Sequence, residues 1–270
     1  MSGKSVGDRK TALITGASSG IGYEFARIFA KEGFHLVIVA RSAEKLREIA
    51  HQLQRDYGVE VRVTLKDLSI PTSPTEIFEE LQRDKVRIDV LVNNAGLGTY
   101  GLFAERDVAQ ELAMIQVNVT SLTHLTRLFL PEMVERRYGK ILNVASTAAF
   151  QPGPLMAVYY ATKAYVLFFS EAIRNELKGS GVTVTVLCPG PTESGFQKQA
   201  GIGETRLVAT GMMDSRTVAL AGYRGLMRNQ SVVIPGLKNR FLAFAVGLVP
   251  RSFAAGMVRT LQEKRRSVQV

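Results

Sequence analysis

The sequence predicts an α/β fold, a doubly wound parallel sheet of seven strands with helices on both faces in a three-layer αβα arrangement. Three observations predict it. Short β-branched or apolar segments alternate with longer amphipathic segments, which is the pattern of βαβ units. A glycine-rich turn separates the first predicted strand from the first predicted helix. The polar motifs come directly after strands, where such sheets bind their ligands.

Strands are predicted where short runs of Val, Ile, Leu or Thr occur, at 11–15, 36–40, 60–66, 90–93, 140–145, 182–188 and 231–234. The helical spacing of apolar residues predicts helices at 20–32, 42–57, 72–84, 109–136, 158–178 and 215–228. Because crossovers between parallel strands are right-handed, the carboxyl ends of all strands are expected at one edge of the sheet.

We expect one domain over residues 1–270, since 46% of the residues are hydrophobic and no Pro/Gly/Ser-rich linker divides the chain. Residues 191–214 form a long irregular connection and are predicted to be a lid over the substrate. Residues 237–270 form an apolar C-terminal extension that is too short to span lipid. It either packs on the substrate pocket or a neighbouring subunit, or it contacts a membrane surface peripherally through 241–266.

The composition narrows the possible partners. The chain carries 34 basic and 24 acidic residues, a formal net charge of +10, but most basic residues are scattered through predicted helices. The densest cluster is only 264–266, so we expect no nucleic-acid binding. No N-terminal apolar segment and no run of about 20 apolar residues occurs, which favours a cytoplasmic protein. The single cysteine, Cys188, is expected to be a small buried residue.

The glycine-rich turn has the spacing Gly16-x-x-x-Gly20-x-Gly22 and leads directly into a predicted helix. Glycines at these positions let the backbone approach a pyrophosphate closely, and the positive end of the helix dipole favours the anion. Three glycines at fixed spacing also arise by chance, so the preceding strand and the following helix carry the prediction. The turn is predicted to bind a dinucleotide.

Three further segments follow strands at the same edge. The second strand ends at Ala40 and Arg41 instead of an acidic residue, and a guanidinium binds a ribose 2′-phosphate well, which favours NADP over NAD. Asp67 either accepts a hydrogen bond from an adenine amino group or caps the next turn. The Asn93-Asn-Ala-Gly96 segment suits a sharp exit from the fourth strand.

Tyr159 and Lys163 are separated by four residues in a predicted helix, so they share one face. The ammonium group is expected to lower the pKa of the phenol and so make it an acid or base near neutral pH. Ser146, at the end of the fifth strand, can converge on the same point. Tyr160 has Ala164 four residues later and is expected to pack in the pocket. Asn118 either holds a water molecule or makes an interior hydrogen bond.

These motifs resemble those of the short-chain dehydrogenase/reductase superfamily over residues 11–196, in its single-domain, NADP-preferring subgroup of bacterial oxidoreductases. The matching segments keep the family's order: 15–22, Asp67 with Leu68, 93–96, Asn118, Ser146, Tyr159 with Lys163, and 189–194. The resemblance implies a Rossmann fold, NADP(H) as cofactor, and a homodimer or homotetramer formed through 109–136 and 158–178. No metal is expected.

The resemblance also implies roles for individual residues. Tyr159 would exchange a proton with the substrate oxygen, Ser146 would hold that oxygen, and Lys163 would lower the tyrosine pKa and bind the nicotinamide ribose. Asn118 would hold a water linked to Lys163 and completes the catalytic set. The expected cofactor-binding residues are Gly16, Ser18, Ser19, Gly20, Ile21, Gly22, Arg41, Asp67, Leu68, Asn94, Ala95, Gly96, Tyr159, Lys163, Pro189, Gly190 and Thr192.

The sequence therefore predicts an NADP(H)-dependent oxidoreductase that reduces a carbonyl group, or oxidises the corresponding alcohol, of an apolar substrate. Apolarity is inferred from residues expected near the pocket, namely Phe150, Leu155, Met156, Phe196, Met212 and Met213. The alternative is a non-catalytic NADP-binding regulatory or scaffolding protein of the same fold. A sugar-nucleotide epimerase would need a larger C-terminal substrate domain.

Overall fold

The computed structural model describes residues 9–203, 205–209 and 211–263. Within these residues seven parallel strands form one sheet in the order β3-β2-β1-β4-β5-β6-β7. The strands are β1 (Thr11–Thr15), β2 (His35–Ala40), β3 (Val61–Leu65), β4 (Val90–Asn93), β5 (Gly139–Val144), β6 (Val182–Leu187) and β7 (Val232–Val233). The predicted fold class is confirmed, and each strand end lies within one residue of its predicted position.

Helices cover both faces of the sheet. They are α1 (Gly20–Lys31), α2 (Ala43–Tyr57), α3 (Ser73–Arg83), α4 (Val108–Ile115), α5 (Leu122–Glu135), α6 (Ala157–Glu176), α7 (Phe196–Ala200), α8 (Arg206–Ala209), α9 (Ser215–Met227), α10 (Leu237–Val246) and α11 (Arg251–Gln262). Phe25 and Phe29 of α1 pack on one face with apolar residues of α2 and α9. Phe129 of α5 packs on the other face with Leu81 of α3.

The prediction of one continuous helix over 109–136 was wrong. A π-helical segment, Gln116–Ser121, separates α4 from α5. It contains Asn118, whose side chain bonds to the backbone of Leu97. An inserted π turn commonly marks a functional position, because it changes the direction in which one side chain points.

The C-terminal extension forms two helices that the sequence analysis did not assign, α10 and α11. The basic cluster 264–266 and the rest of the extension to residue 270 lie outside the described residues, as do residues 1–8. None of the described helices is long and apolar enough to cross a membrane. Cys188 is fully buried beyond β6, and burial raises the pKa of its thiol to about 12.

The carboxyl ends of β1 and β4 are joined by hydrogen bonds that fix the glycine-rich turn. The Thr15 hydroxyl accepts hydrogen bonds from the backbone of Asn94 and Ala95, each at 3.0 Å. The Asn94 amide donates to the carbonyls of Thr15 and Gly16, at 2.9 and 3.2 Å. Since strand order reverses between these two strands, the turn lies at the switch point of the sheet, where dinucleotides bind in this topology.

The close packing of this turn gives a testable consequence. A Cβ atom at Gly22 would overlap with the Gly16 carbonyl oxygen and the Asn94 amide. Gly22→Ala should therefore lower the free energy of unfolding by about 1–3 kcal/mol, measured by urea denaturation. Gly256→Ala is the matched control, because a Cβ there meets nothing within 4 Å and alanine favours a helix. An unchanged stability in Gly22→Ala would contradict this packing.

Candidate active site

One cavity of about 630 Å³ lies at the carboxyl edge of the sheet. The ends of β1, β2, β4, β5 and β6, the N-terminus of α1, and residues of α6 and α11 line it. All of the predicted cofactor-binding residues line this cavity, and so do Ser146, Tyr159 and Lys163. Asn118 is the exception among the predicted site residues, since it lies behind the cavity wall and is 1% exposed.

The glycine-rich turn presents an anion-binding helix end to the cavity. Ser19, the N-cap residue of α1, makes no side-chain hydrogen bond to the helix, and the first turn of α1 contains no acidic residue. The first backbone N–H groups of the helix are thus available to a ligand. Gly16 and Gly20 have φ angles of 67° and 54°, which glycine adopts without strain. These features fit a pyrophosphate.

Arg41 lies at the end of the cavity beyond β2. Its guanidinium is 61% exposed and its Nη1 lies 3.8 Å from the Asp67 carboxylate, so this exposed pair is weak. The other oxygen of Asp67 accepts hydrogen bonds from the backbone and hydroxyl of Ser69, at 2.9 and 2.8 Å. Asp67 therefore caps the following turn, which is one of the two roles predicted for it. It also lines the cavity, where the other predicted role, a hydrogen bond from an adenine amino group, would be made.

The exit of β4 brings the segment predicted to bind the cofactor close to Lys163 and Asn118. Asn94, Ala95 and Gly96 line the cavity. A Cβ atom at Gly96 would lie 3.4 Å from both the Asn118 carbonyl oxygen Oδ1 and the Lys163 ammonium. The β4 exit therefore runs beside Lys163 and Asn118.

Tyr159 and Ser146 meet in the cavity, one from the start of α6 and the other from the end of β5. Burial raises the pKa of Tyr159 well above its ordinary value of 10, while a hydrogen bond with the Ser146 side chain lowers it by a smaller amount. Removal of the phenol from water disfavours the phenolate more than Ser146 favours it, so the pKa of Tyr159 lies above its ordinary value. The lowering of this pKa by Lys163 stays a prediction.

Lys163 is itself buried, at 5% exposure. Its ammonium donates a hydrogen bond to the Val144 carbonyl at 2.9 Å and lies 5.8 Å from the centre of the Tyr159 ring. Burial lowers the pKa of Lys163 to about 8. The side chain is therefore mostly protonated at pH 7. It loses its proton at a lower pH than an exposed lysine does.

Asn118 makes interior hydrogen bonds. Its Oδ1 accepts from the Leu97 N–H at 2.8 Å, and its Nδ2 donates to the Leu97 carbonyl at 2.9 Å and to the Thr162 hydroxyl at 3.0 Å. The Asn118 amide thus ties the β4 exit to α6. Both polar atoms of the side chain have protein partners, which favours the interior hydrogen bond over the predicted water contact.

The C-terminal helix closes the cavity at the side of Tyr160. Gln262, which is 1% exposed, donates from Nε2 to the Tyr160 hydroxyl at 2.8 Å. The backbone carbonyl of Gln262 accepts a hydrogen bond from the Tyr100 hydroxyl at 2.8 Å. Tyr160 is buried and packs beside Tyr159, with ring centres 6.1 Å apart, which is the packing role expected for it.

The connection 191–214 covers the cavity with α7 and α8 and the residues around them. Phe196 packs against Tyr159, with ring centres 5.2 Å apart, and its ring occupies the space that a side chain at Gly98 would need. Ser194 lies against Gly20 of the glycine-rich turn. The segment thus touches both the glycine-rich turn and the Tyr159 end of the cavity. Its function as a lid stays a prediction.

The apolar lining differs in part from the prediction. Of the six residues expected near the pocket, Met156 and Phe196 line the cavity, whereas Phe150, Leu155, Met212 and Met213 are not among its lining residues.

Sequence reasoning missed other apolar lining residues from the 191–214 connection and the C-terminal helix: Ile202, Leu207, Val208, Val258 and Leu261. It also missed Ser42 and Lys66 near Arg41. Ser42 and Lys66 could have been predicted, because they follow directly after β2 and β3. The lining residues of α11 could not, because no sequence motif marks that helix.

Comparison with known proteins identifies the family. The profile of the short chain dehydrogenase family matches residues 10–205, and the chain belongs to this family of oxidoreductases, whose members bind a nicotinamide cofactor. A ketoacyl reductase, HetN, of Nostoc sp. strain PCC 7120 is 33% identical over 226 residues, which cover 83% of this chain and 78% of that protein. The resemblance drawn from the motifs is confirmed.

Two further similarities bear on the site. The very-long-chain 3-oxoacyl-CoA reductase of Rattus norvegicus is 37% identical over 184 residues, which cover 66% of this chain and only 58% of that protein. A solved structure of a short-chain dehydrogenase from Sphingobium yanoikuyae in complex with NADPH has a TM-score of 0.80 and 33% identity. The match covers 97% of this chain and 98% of the Sphingobium chain, so it includes the C-terminal helices.

The bond between Gln262 and Tyr160 can be measured with a double-mutant cycle. Gln262→Leu should lower the free energy of unfolding by about 1–3 kcal/mol, because it leaves the buried Tyr160 hydroxyl unpaired. In the Tyr160→Phe background the same change should cost about 1 kcal/mol less, as judged by urea denaturation. Strictly additive effects would mean that this bond does not hold α11 over the cavity.

Proposed function

We propose that this protein is an NADPH-dependent carbonyl reductase, reversible as an alcohol dehydrogenase, that acts on an apolar substrate. One observation carries the proposal: Ser146, Tyr159 and Lys163 face the same cavity as the glycine-rich turn. A proton donor and a cation therefore lie beside the place where a nicotinamide dinucleotide fits. A binding protein has no use for this combination of groups.

In the proposed reaction, the Ser146 hydroxyl orients the substrate carbonyl oxygen towards Tyr159. A reduced nicotinamide cofactor held by the glycine-rich turn and Lys163 would supply the hydride that the carbonyl carbon needs. Tyr159 gives its phenolic proton to the carbonyl oxygen, and the raised pKa of this phenol keeps that proton available. The phenolate left behind is stabilised by Ser146 and by the Lys163 ammonium. Oxidation of an alcohol runs through the same groups in reverse.

The preference for NADPH is assigned to Arg41. Its exposed guanidinium lies at the cavity end opposite Tyr159, next to Ser42 and Lys66. The weak contact with Asp67 leaves the guanidinium able to bind a 2′-phosphate bidentately. The NADPH complex of the Sphingobium relative agrees with this choice.

The substrate is proposed to be an apolar carbonyl compound with a long or bulky body. The wall near Tyr159 is made of Met156, Phe196, Ile202, Val208 and Val258, which offers apolar surface to the substrate and few polar contacts. The names of the relatives from Nostoc and Rattus point to ketoacyl groups, and such substrates have this character.

The proposal includes assembly in the cytoplasm as a homodimer or homotetramer. Several large apolar residues of α4 and α6 are exposed, namely Val108, Leu112, Ile115, Tyr165 and Phe168. These are the helices through which self-association was expected, and an exposed apolar surface of this kind favours a protein partner.

Replacement of the phenol separates an enzyme from a cofactor-binding scaffold. Tyr159→Phe should lower kcat about 10²- to 10⁴-fold while NADPH still binds, because the change removes the proton donor and leaves the other residues expected to bind the cofactor in place. NADPH oxidation should be followed with methyl ketones of increasing chain length, 3-oxoacyl thioesters and aryl ketones. Tyr165→Phe is the matched control, since Tyr165 lies on the same helix outside the cavity. Tight NADPH binding without turnover of any carbonyl by the wild type would favour the scaffolding alternative.

The assignment of Arg41 predicts a change in cofactor preference. Arg41→Ala should raise the KM for NADPH about tenfold or more and leave the KM for NADH unchanged, since a charged hydrogen bond to phosphate is lost. Arg47→Ala removes an exposed guanidinium from α2 outside the cavity and should change neither value. An unaltered ratio of the two KM values in Arg41→Ala would overturn the 2′-phosphate assignment.

A further inference from the structure

Helix α10 lies on the surface with almost nothing over it. None of its ten residues is buried. Its apolar residues Leu237, Phe241 and Phe244 are 83%, 70% and 71% exposed. A helix this short gains its stability from packing an apolar side, not from helix propensity. In α10 the large apolar side chains face outwards, which indicates that another apolar phase covers them.

Large apolar side chains are also exposed in the turn that follows α10 and on α11. We define the C-terminal face as the exposed side chains of Leu237, Phe241, Leu242, Phe244, Leu248, Phe253, Met257 and Leu261. On α11 the neighbouring row of side chains packs inwards, since Ala254, Val258 and Gln262 are buried. The two sides of α11 thus have separate roles. The inner side closes the cavity and the outer side extends the C-terminal face.

The inner side of α10 is held in place by Asn239. Its amide donates to the Pro235 carbonyl at 2.8 Å and to the Met213 sulfur at 3.4 Å. The same side chain lies against Gly190, where a Cβ atom would come 2.6 Å from the Asn239 amide. Gly190 lines the cavity. The helix is therefore fixed to the rim of the cavity, with its apolar residues directed away from the protein.

The charges around the C-terminal face are all of one sign. Residues 237–262 contain Lys238, Arg240, Arg251 and Arg259 and no Asp or Glu. Arg259 has a partner in Glu263 at 3.9 Å, whereas among the described residues Lys238, Arg240 and Arg251 have no carboxylate within 4 Å. Long basic side chains beside an apolar face extend towards the headgroups when the apolar residues enter a lipid surface.

We propose that the C-terminal face docks on a bilayer surface that contains anionic lipids. Two copies of the chain that paired this face about a two-fold axis would bring these cations together without acidic partners, which disfavours a second copy as the occupant. Anionic headgroups supply the missing charge, and the acyl chains cover the apolar side chains. Shallow insertion needs no membrane-spanning helix.

Docking in this orientation places the cavity beside the lipid. Leu261 belongs both to the C-terminal face and to the cavity lining, and Val258 lines the cavity from the same helix. An apolar substrate dissolved in the bilayer can then reach Tyr159 without crossing water. This consequence rests on the proposed reductase function, but docking itself does not.

Vesicle binding tests the proposal without any need for turnover. The full chain is mixed with vesicles of phosphatidylcholine, or of equal parts phosphatidylcholine and phosphatidylglycerol, and bound protein is separated by flotation. We expect binding to the anionic vesicles that weakens as salt is raised. The double variant Phe241→Ser/Phe244→Ser should bind about tenfold more weakly or worse. Phe103→Ser is the matched control, because Phe103 is 69% exposed outside the C-terminal face.

A second pair of substitutions tests the charges. Arg240→Gln/Arg251→Gln should weaken binding to anionic vesicles about fivefold for each cation removed and leave binding to phosphatidylcholine alone unchanged. All variants should keep NADPH affinity, which shows that they fold. The proposal is overturned if the wild type does not float with anionic vesicles, or if the phenylalanine variant floats equally well. It is also overturned if the phenylalanine variant changes only the oligomeric state in sedimentation, which would make a second copy the occupant.

Discussion

The partly buried Tyr159 phenol beside Ser146 is the group on which the proposed chemistry of the site depends. A tyrosine in water without charged neighbours has a pKa near 10. Inside the cavity the ionised form is disfavoured and the pKa rises, and Ser146 offsets only part of that effect. In the proposed reaction this phenol gives its proton to the carbonyl oxygen. The Lys163 ammonium, proposed to stabilise the phenolate left behind, is buried close to the same ring.

Hydrogen bonds and ring contacts from other parts of the fold position the residues around Tyr159. Thr15 and Asn94 fix the glycine-rich turn at the switch point of the sheet, and Asn118 ties the β4 exit to α6. Phe196 from the 191–214 connection covers Tyr159, and Gln262 from the last described helix holds Tyr160 beside it. Side chains from distant parts of the sequence thus close the cavity around one hydroxyl group.

The sheet and the cavity residues contributed by strand ends were predictable from sequence, because each follows a β-branched run or a glycine-rich turn. The convergence of Ser146, Tyr159 and Lys163 was predictable for the same reason. The pKa of Tyr159 was not, since spacing along a helix reveals Lys163 but not the degree of burial. The contribution of Gln262 was also not predictable. It depends on where a helix at the far end of the chain packs, and no local pattern encodes that position.

The C-terminal helices show how one segment can serve two surfaces. The inner residues of α11 complete the wall of the cavity. The outer residues of α10 and α11 are apolar or basic and are exposed to solvent. The apolar run was visible in the sequence. Its division into an inner and an outer side required the structure.

Titration of Tyr159 by NMR, in protein labelled with ¹³C at the tyrosine Cζ, tests most directly whether the pKa of this phenol is raised. The Tyr159 signal is assigned from its loss in Tyr159→Phe. A group whose pKa is raised stays protonated as the pH passes its ordinary value. The Tyr159 signal should therefore remain that of a neutral phenol above pH 10. A phenolate signal that appears near neutral pH would contradict the account, because Lys163 would then outweigh burial.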